Sequence, residues 1–141
     1  MTRMRSHTIA TAAYEVVAAR QGSDIKKKYG ALAHKLPGLV LQNGLAQATG
    51  FLLAKGQSKP EHLDLLNDLR SVLHAARATD ADSGQALHTQ IIAADLEATM
   101  LLTRRTLEAA GWIKRYVQGV LGVDATGEAV ADAADGTSQG G

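Results

Sequence analysis

The side chains of this chain that could do chemistry are five histidines, a row of carboxylates and several groups of lysine and arginine. The histidines are His7, His34, His62, His74 and His88, and no two stand at i, i+4. His62 and His74 fall on one expected helix, but twelve residues apart. That is ~18 Å along a helix axis, too far to share a metal ion. Glu61, Asp64 and Asp68 share a helix face. Such a row binds metal in helical bundles when facing helices add Glu-x-x-His motifs. The segment HLDLLNDLR supplies none, so no metal ligand is assigned. There is no GxSxG, P-loop or GxGxxG; Gly44 and Gly50 sit inside an expected helix, where glycines cannot cradle phosphate. With no cysteine, the chain has no disulfide, thiolate metal site or cysteine nucleophile. No catalytic residue and no cofactor are expected, and the reading is of a protein that is not an enzyme.

The basic residues are the better candidates. Net charge is only +1, but the charges are segregated. Residues 1–35 hold seven basic side chains against two acidic, a balance of +5. Residues 36–103 stand at −3, residues 104–121 at +3 and residues 122–141 at −4. Lys27, Lys28 and Lys35 share one side of a helix. Arg104 and Arg105 lie together further along, followed by Lys114 and Arg115. Lys and Arg in such groups bind phosphate backbones without reading bases; the competing reading is ordinary solvated charge. Aromatic residues are few, one Trp, three Tyr and one Phe, and most are expected in the core. This speaks against a platform for stacking unpaired bases.

The elements that position these residues read as helices throughout. A first helix is expected over about 3–20, with Ile9, Ala13, Val16 and Val17 on its buried face. Gly22 ends it, and Ser23 or Asp24 can cap the next helix, over about 24–34. Pro37 is expected to close that second helix and open a third, over about 37–55, stopped by Gly56. The third helix is apolar nearly all round and so should be the buried centre of the fold. Its Gln42, Asn43 and Gln47 then need partners, either neighbouring backbone or another subunit. Ala46, Gly50 and Ala54 form a stripe of small residues that admits a close neighbouring helix.

SKPE at 58–61 reads as a capping box opening a fourth helix that ends by Arg77. A short helix is expected over 84–92 and a long one over about 93–121. Leu96, Met100, Thr103, Leu107, Ala110 and Val117 should form the inner stripe of the long helix. Residues 122–141 hold four acids, no base and only two Val, too little apolar surface to offset chain entropy. The expectation is therefore all-α, a compact bundle of five to six helices over 1–121 with a disordered tail over 122–141. A chain of 141 residues supports one such core. No signal-peptide core and no apolar run near ~18 residues is present, so no membrane association is expected. The absence of cysteine suits a cytoplasmic protein.

One segment is more specific than this. KYGALAHKLPGLVLQNGLAQATGFLLAKG closely resembles the signature of the Cmr small-subunit family, the fifth subunit of the type III-B CRISPR RNA-guided effector complex. TAAYEVV near the start and LTRRTLEAAGWIKRYVQGVL near the end add to the likeness. The resemblance implies a helical, non-catalytic structural subunit that stacks as a filament and acts in antiviral defence. It implies partners: other Cmr complex subunits, namely the backbone subunit and adjacent copies of itself, and the guide RNA–target RNA duplex whose groove they line. Lys27, Lys28, Lys35, Arg104 and Arg105 are the residues expected to meet RNA. The small subunit of the type III-A complex, or another helical adaptor of an RNA complex, is the alternative; VLQNGLAQ argues against it.

Overall fold

The structure, a computed structural model, describes residues 4–128. Six helices follow in order: α1 (Arg5–Ala18), α2 (Lys26–Asn43), α3 (Leu45–Lys55), α4 (Pro60–Ala75), α5 (Gly84–Ala93) and α6 (Leu96–Gly119). The fold is all-α, as expected. Ile9, Ala13 and Val17 do form the buried face of α1.

The centre is α4. It packs against all five other helices. Leu65, Leu66, Leu69, Val72 and Leu73 leave almost none of their surface to solvent. Around it, α1 and α2 both lean on α6, while α3 and α5 close the other side.

The expected central helix over 37–55 does not exist as such. Pro37 lies inside α2, and the break comes at Gly44, with φ 86° and ψ 160°. A proline within a helix costs about 3 kcal/mol. Here Tyr29, Leu32, Ala33, Leu36 and Val40 make one buried face that runs through the proline. Each large apolar side chain so buried contributes ~1.5–3 kcal/mol, so continuity wins. Gly44 breaks the helix because its positive φ is open to glycine and strained for other residues. The expected 37–55 segment is half-exposed rather than central: Leu41 at the end of α2 is 71% exposed and Phe51 on α3 38%. Gln42, Asn43 and Gln47 are exposed as well and need no buried partner. Of the small-residue stripe, Ala46 and Ala54 face solvent. Gly50 alone is approached, and a Cβ there would stand 3.3 Å from His88 of α5.

Two helix starts follow the chemistry of their sequence. Ser83 accepts from the Ala86 N–H and Asp95 from the Ala98 N–H, satisfying donors the helix leaves free. The SKPE capping box does not form. Lys59 is the cap residue with no side-chain bond, and Glu61 is buried beside His62, its Oε1 3.5 Å from Nδ1. Before α2, Ser23 accepts from the Ile25 N–H, which is one turn residue ahead of the helix.

The packed body reaches further than Leu121. Val123 is 2% exposed, and its carbonyl stands 3.0 Å from Nε2 of His34 on α2. Gly30 makes room for it: a Cβ at residue 30 would fall 2.5 Å from Val123 Cγ1. Asp124 then closes a turn, accepting from the backbone N–H groups of Thr126 and Glu128. The remainder of the expected tail, residues 129–141, lies outside the described residues.

Candidate nucleic-acid and subunit interface

The lysines expected to meet phosphate stand on α2. Lys27, Lys28 and Lys35 are all exposed. Lys28 and Lys35 are seven residues apart, two turns, so their side chains leave the helix within about 20° of each other. Gln42 is seven residues further on and exposed on the same stripe. Among the described residues none of the three lysines is held by an ion pair. The segment after α6 runs under this end of α2: a Cβ on Gly127 would lie 3.3 Å from the Lys27 carbonyl oxygen.

The two arginines of α6 part company. Arg105 donates to Glu108 at 2.9 Å, and Glu108 also draws Arg5 to 3.8 Å. Arg104 is exposed and lines a shallow cleft of about 550 Å³ with Asp95, Glu97, Ala98, Met100 and Leu101. The first half of α6 is unlike the expected inner stripe. Leu96 is 77% exposed, Met100 57% and Leu101 49%. The buried face is Leu102, Thr106, Ala109, Ala110, Ile113 and Val117, so Ala110 and Val117 of the expected stripe are inside while Leu96 and Met100 are not.

What holds α2 in place is a polar clamp that reading along the chain did not find. Arg20, just past α1, donates to both oxygens of Asp68, at 3.0 and 2.7 Å. It also reaches Asp64 at 3.3 Å and lies 5.5 Å over the Tyr29 ring. The Tyr29 hydroxyl donates to the same Asp68 at 2.7 Å. Three helices, α1, α2 and α4, thus meet at one carboxylate. Hydrogen bonding to Asp68 raises the Arg20 guanidinium above its ordinary range, against the effect of burial. Burial, and then the Asp68 charge, push the Tyr29 hydroxyl up as well. Burial pushes Asp68 up, while Arg20 and Tyr29 pull it back. Asp64 and Asp68, two of the three carboxylates in that row, are therefore spent on structure. Among the described residues no three His, Asp or Glu side chains gather as a metal site would require. The sequence signal for the clamp was Asp64 and Asp68 at i, i+4; their partner Arg20 lies 48 residues from Asp68 and was invisible along the chain.

The aromatic residues are less buried than expected. Only Tyr29 is enclosed. Tyr14 meets Tyr116 edge-on at 5.5 Å, Tyr116 stacks on Trp112 at 5.7 Å, and Arg115 lies 5.0 Å over Trp112. This ladder ties α1 to α6 at the surface. No described helix is long and apolar enough to cross a membrane.

Fold and surface together define a small helical protein with basic and apolar outer faces. Comparison with known proteins makes the class specific. The family described as CRISPR-associated protein (Cas_Cmr5) matches residues 5–120. A curated relative, the CRISPR system Cmr subunit Cmr5 of Thermus thermophilus, is 37% identical over 123 residues, covering 84% of this chain and 97% of the relative. The crystal structure of a CRISPR-associated Cmr5 family protein from Thermus thermophilus superposes with a TM-score of 0.76 at 36% identity, covering 85% of this chain and 99% of that one. The chain belongs to the Cmr5 family of the CRISPR Cmr system.

Proposed function

We propose that this chain is a non-catalytic structural subunit of a type III-B Cmr ribonucleoprotein effector, working in the cytoplasm in antiviral defence. It docks on the backbone subunit and on adjacent copies of itself, and lines the groove where target RNA pairs with guide RNA. The observation that carries this reading is the exposed face of Lys27, Lys28 and Lys35 on α2, in a chain of this family. Such a face neutralises phosphates and carries no base information. Arg104 is a further candidate for the groove. Arg105 is a weaker one, because Glu108 already occupies its guanidinium. The engagement of Asp64 and Asp68 by Arg20 supports a subunit without hydrolytic chemistry of its own.

The test is a salt titration of target-RNA binding by the reconstituted complex, wild type against Lys27→Ala/Lys28→Ala/Lys35→Ala. Each lost phosphate contact lowers the log–log slope by roughly one unit on a duplex. The triple variant should therefore flatten it by about two to three units. Identical slopes at equal assembly would make the lysines ordinary solvated charge. A variant that fails to assemble would place them at a protein contact instead.

A further inference from the structure

The first half of α6 carries two apolar faces. Taken at 100° per residue, the core face centred on Thr106 and Ile113 lies roughly opposite a second face holding Leu96, Met100, Leu101, Glu97 and Arg104. All five of these residues are exposed. A helix of a well-packed body normally has one apolar stripe, and an exposed apolar face marks an interaction surface. The second stripe is short. Beyond Arg104 the same face continues with Glu108 and Arg115.

The arrangement of charge on this face says what fits it. Glu97 and Arg104 flank Met100 and Leu101 symmetrically, three residues before and three after. Within one chain they are seven residues apart, ~10.5 Å along the axis, and neither has an ion-pair partner among the described residues. Now set a second α6 antiparallel on the first, with a twofold axis between Met100 and Leu101. Met100 of one copy then lies level with Leu101 of the other. Glu97 of each lies level with Arg104 of the other. The face is complementary to itself, which is what an isologous contact requires.

We propose that this face binds a second copy of the same chain, forming an antiparallel twofold dimer across Met100 and Leu101 with two reciprocal Glu97–Arg104 pairs. An isologous contact closes on two copies and cannot by itself extend a filament. The dimer therefore belongs to the free subunit, where it pairs Arg104 with Glu97 of the other copy. The face is small and its ion pairs are at the rim, so the affinity is weak, with Kd of roughly 100 µM.

The experiment is sedimentation velocity on the full chain across a concentration series, at low salt. Wild type should move from monomer to dimer over that range. Glu97→Arg and Arg104→Glu should each weaken dimerisation by roughly tenfold, since each replaces two attractive contacts by two repulsive ones across the axis. The double reversal, Glu97→Arg/Arg104→Glu, should restore it, because the pairs re-form with opposite sign. Leu101→Asp should abolish it. All these positions are exposed, and circular dichroism checks that the fold is kept. A wild-type chain that stays monomeric at about 1 mM overturns the proposal, as does a double reversal no better than the single variants. Loss of the target-RNA salt slope in Arg104→Glu, with the free chain monomeric, would assign Arg104 to RNA and overturn it too.

Discussion

Removing the Asp68 carboxylate, by Asp68→Ala, tests how α1, α2 and α4 are held together. The Tyr29 hydroxyl is fully buried and donates only to Asp68. Left without an acceptor it costs ~1–3 kcal/mol. Arg20 loses both strong bonds, but it keeps Asp64 at 3.3 Å and its side chain is 24% exposed. Its loss therefore falls below the ~3–5 kcal/mol of breaking a fully buried pair. Together these predict a destabilisation of about 3 kcal/mol. At ~3–4 °C per kcal/mol for a chain of this size, Tm should fall by about 10 °C. The assay is chemical and thermal unfolding of four proteins: wild type, Asp68→Ala, Tyr29→Phe and the double variant. Tyr29→Phe alone should cost ~1 kcal/mol. In the double variant the orphaned hydroxyl is gone, so its loss should be smaller than the sum of the singles by ~1 kcal/mol. A loss under ~1 kcal/mol for Asp68→Ala, or strict additivity in the cycle, would refute the clamp as the joint that orients the lysine face of α2.

Two further outcomes follow from single positions. Gly30→Ala places a methyl 2.5 Å from Val123 Cγ1 and 3.0 Å from Val117 Cγ1, and should cost ~1–3 kcal/mol in an unfolding experiment. Val123→Ala in the same chain should recover much of that loss; a neutral Gly30→Ala would mean that Val123 does not sit on α2. His62 is held below its ordinary pKa, chiefly by burial. The unfolded chain then binds a proton more readily than the folded one, so the contribution of His62 is fully present above about pH 6.5 and is lost as pH falls through the folded value. Unfolding measured from pH 8 to 5 should show this acid slope in wild type and a shallower one in His62→Gln; equal slopes would show that His62 is not its source.

The sequence by itself determined the all-α class and the family. Helical spacing of Ile9, Ala13 and Val17, the turn at Gly22 and the LQNGLAQ segment are local signals, and local signals survive without a fold. It also placed Lys28 and Lys35 on one helix stripe with Lys27 flanking them, since two-turn spacing needs only the helix repeat. Only the tertiary structure decided which apolar residues are inside. Leu41, Leu96, Met100 and Leu101 have the same chemistry as Leu65 or Leu69, and their exposure depends on which helices arrive to cover them. It likewise decided that α2 runs through Pro37, because the cost of one proline is set against burial on both sides of it. Arg20 could not be paired with Asp68 from spacing, and Val123 could not be seated on Gly30, because these contacts join parts of the chain far apart in sequence. Long-range packing assigns partners to side chains whose types alone leave the choice open.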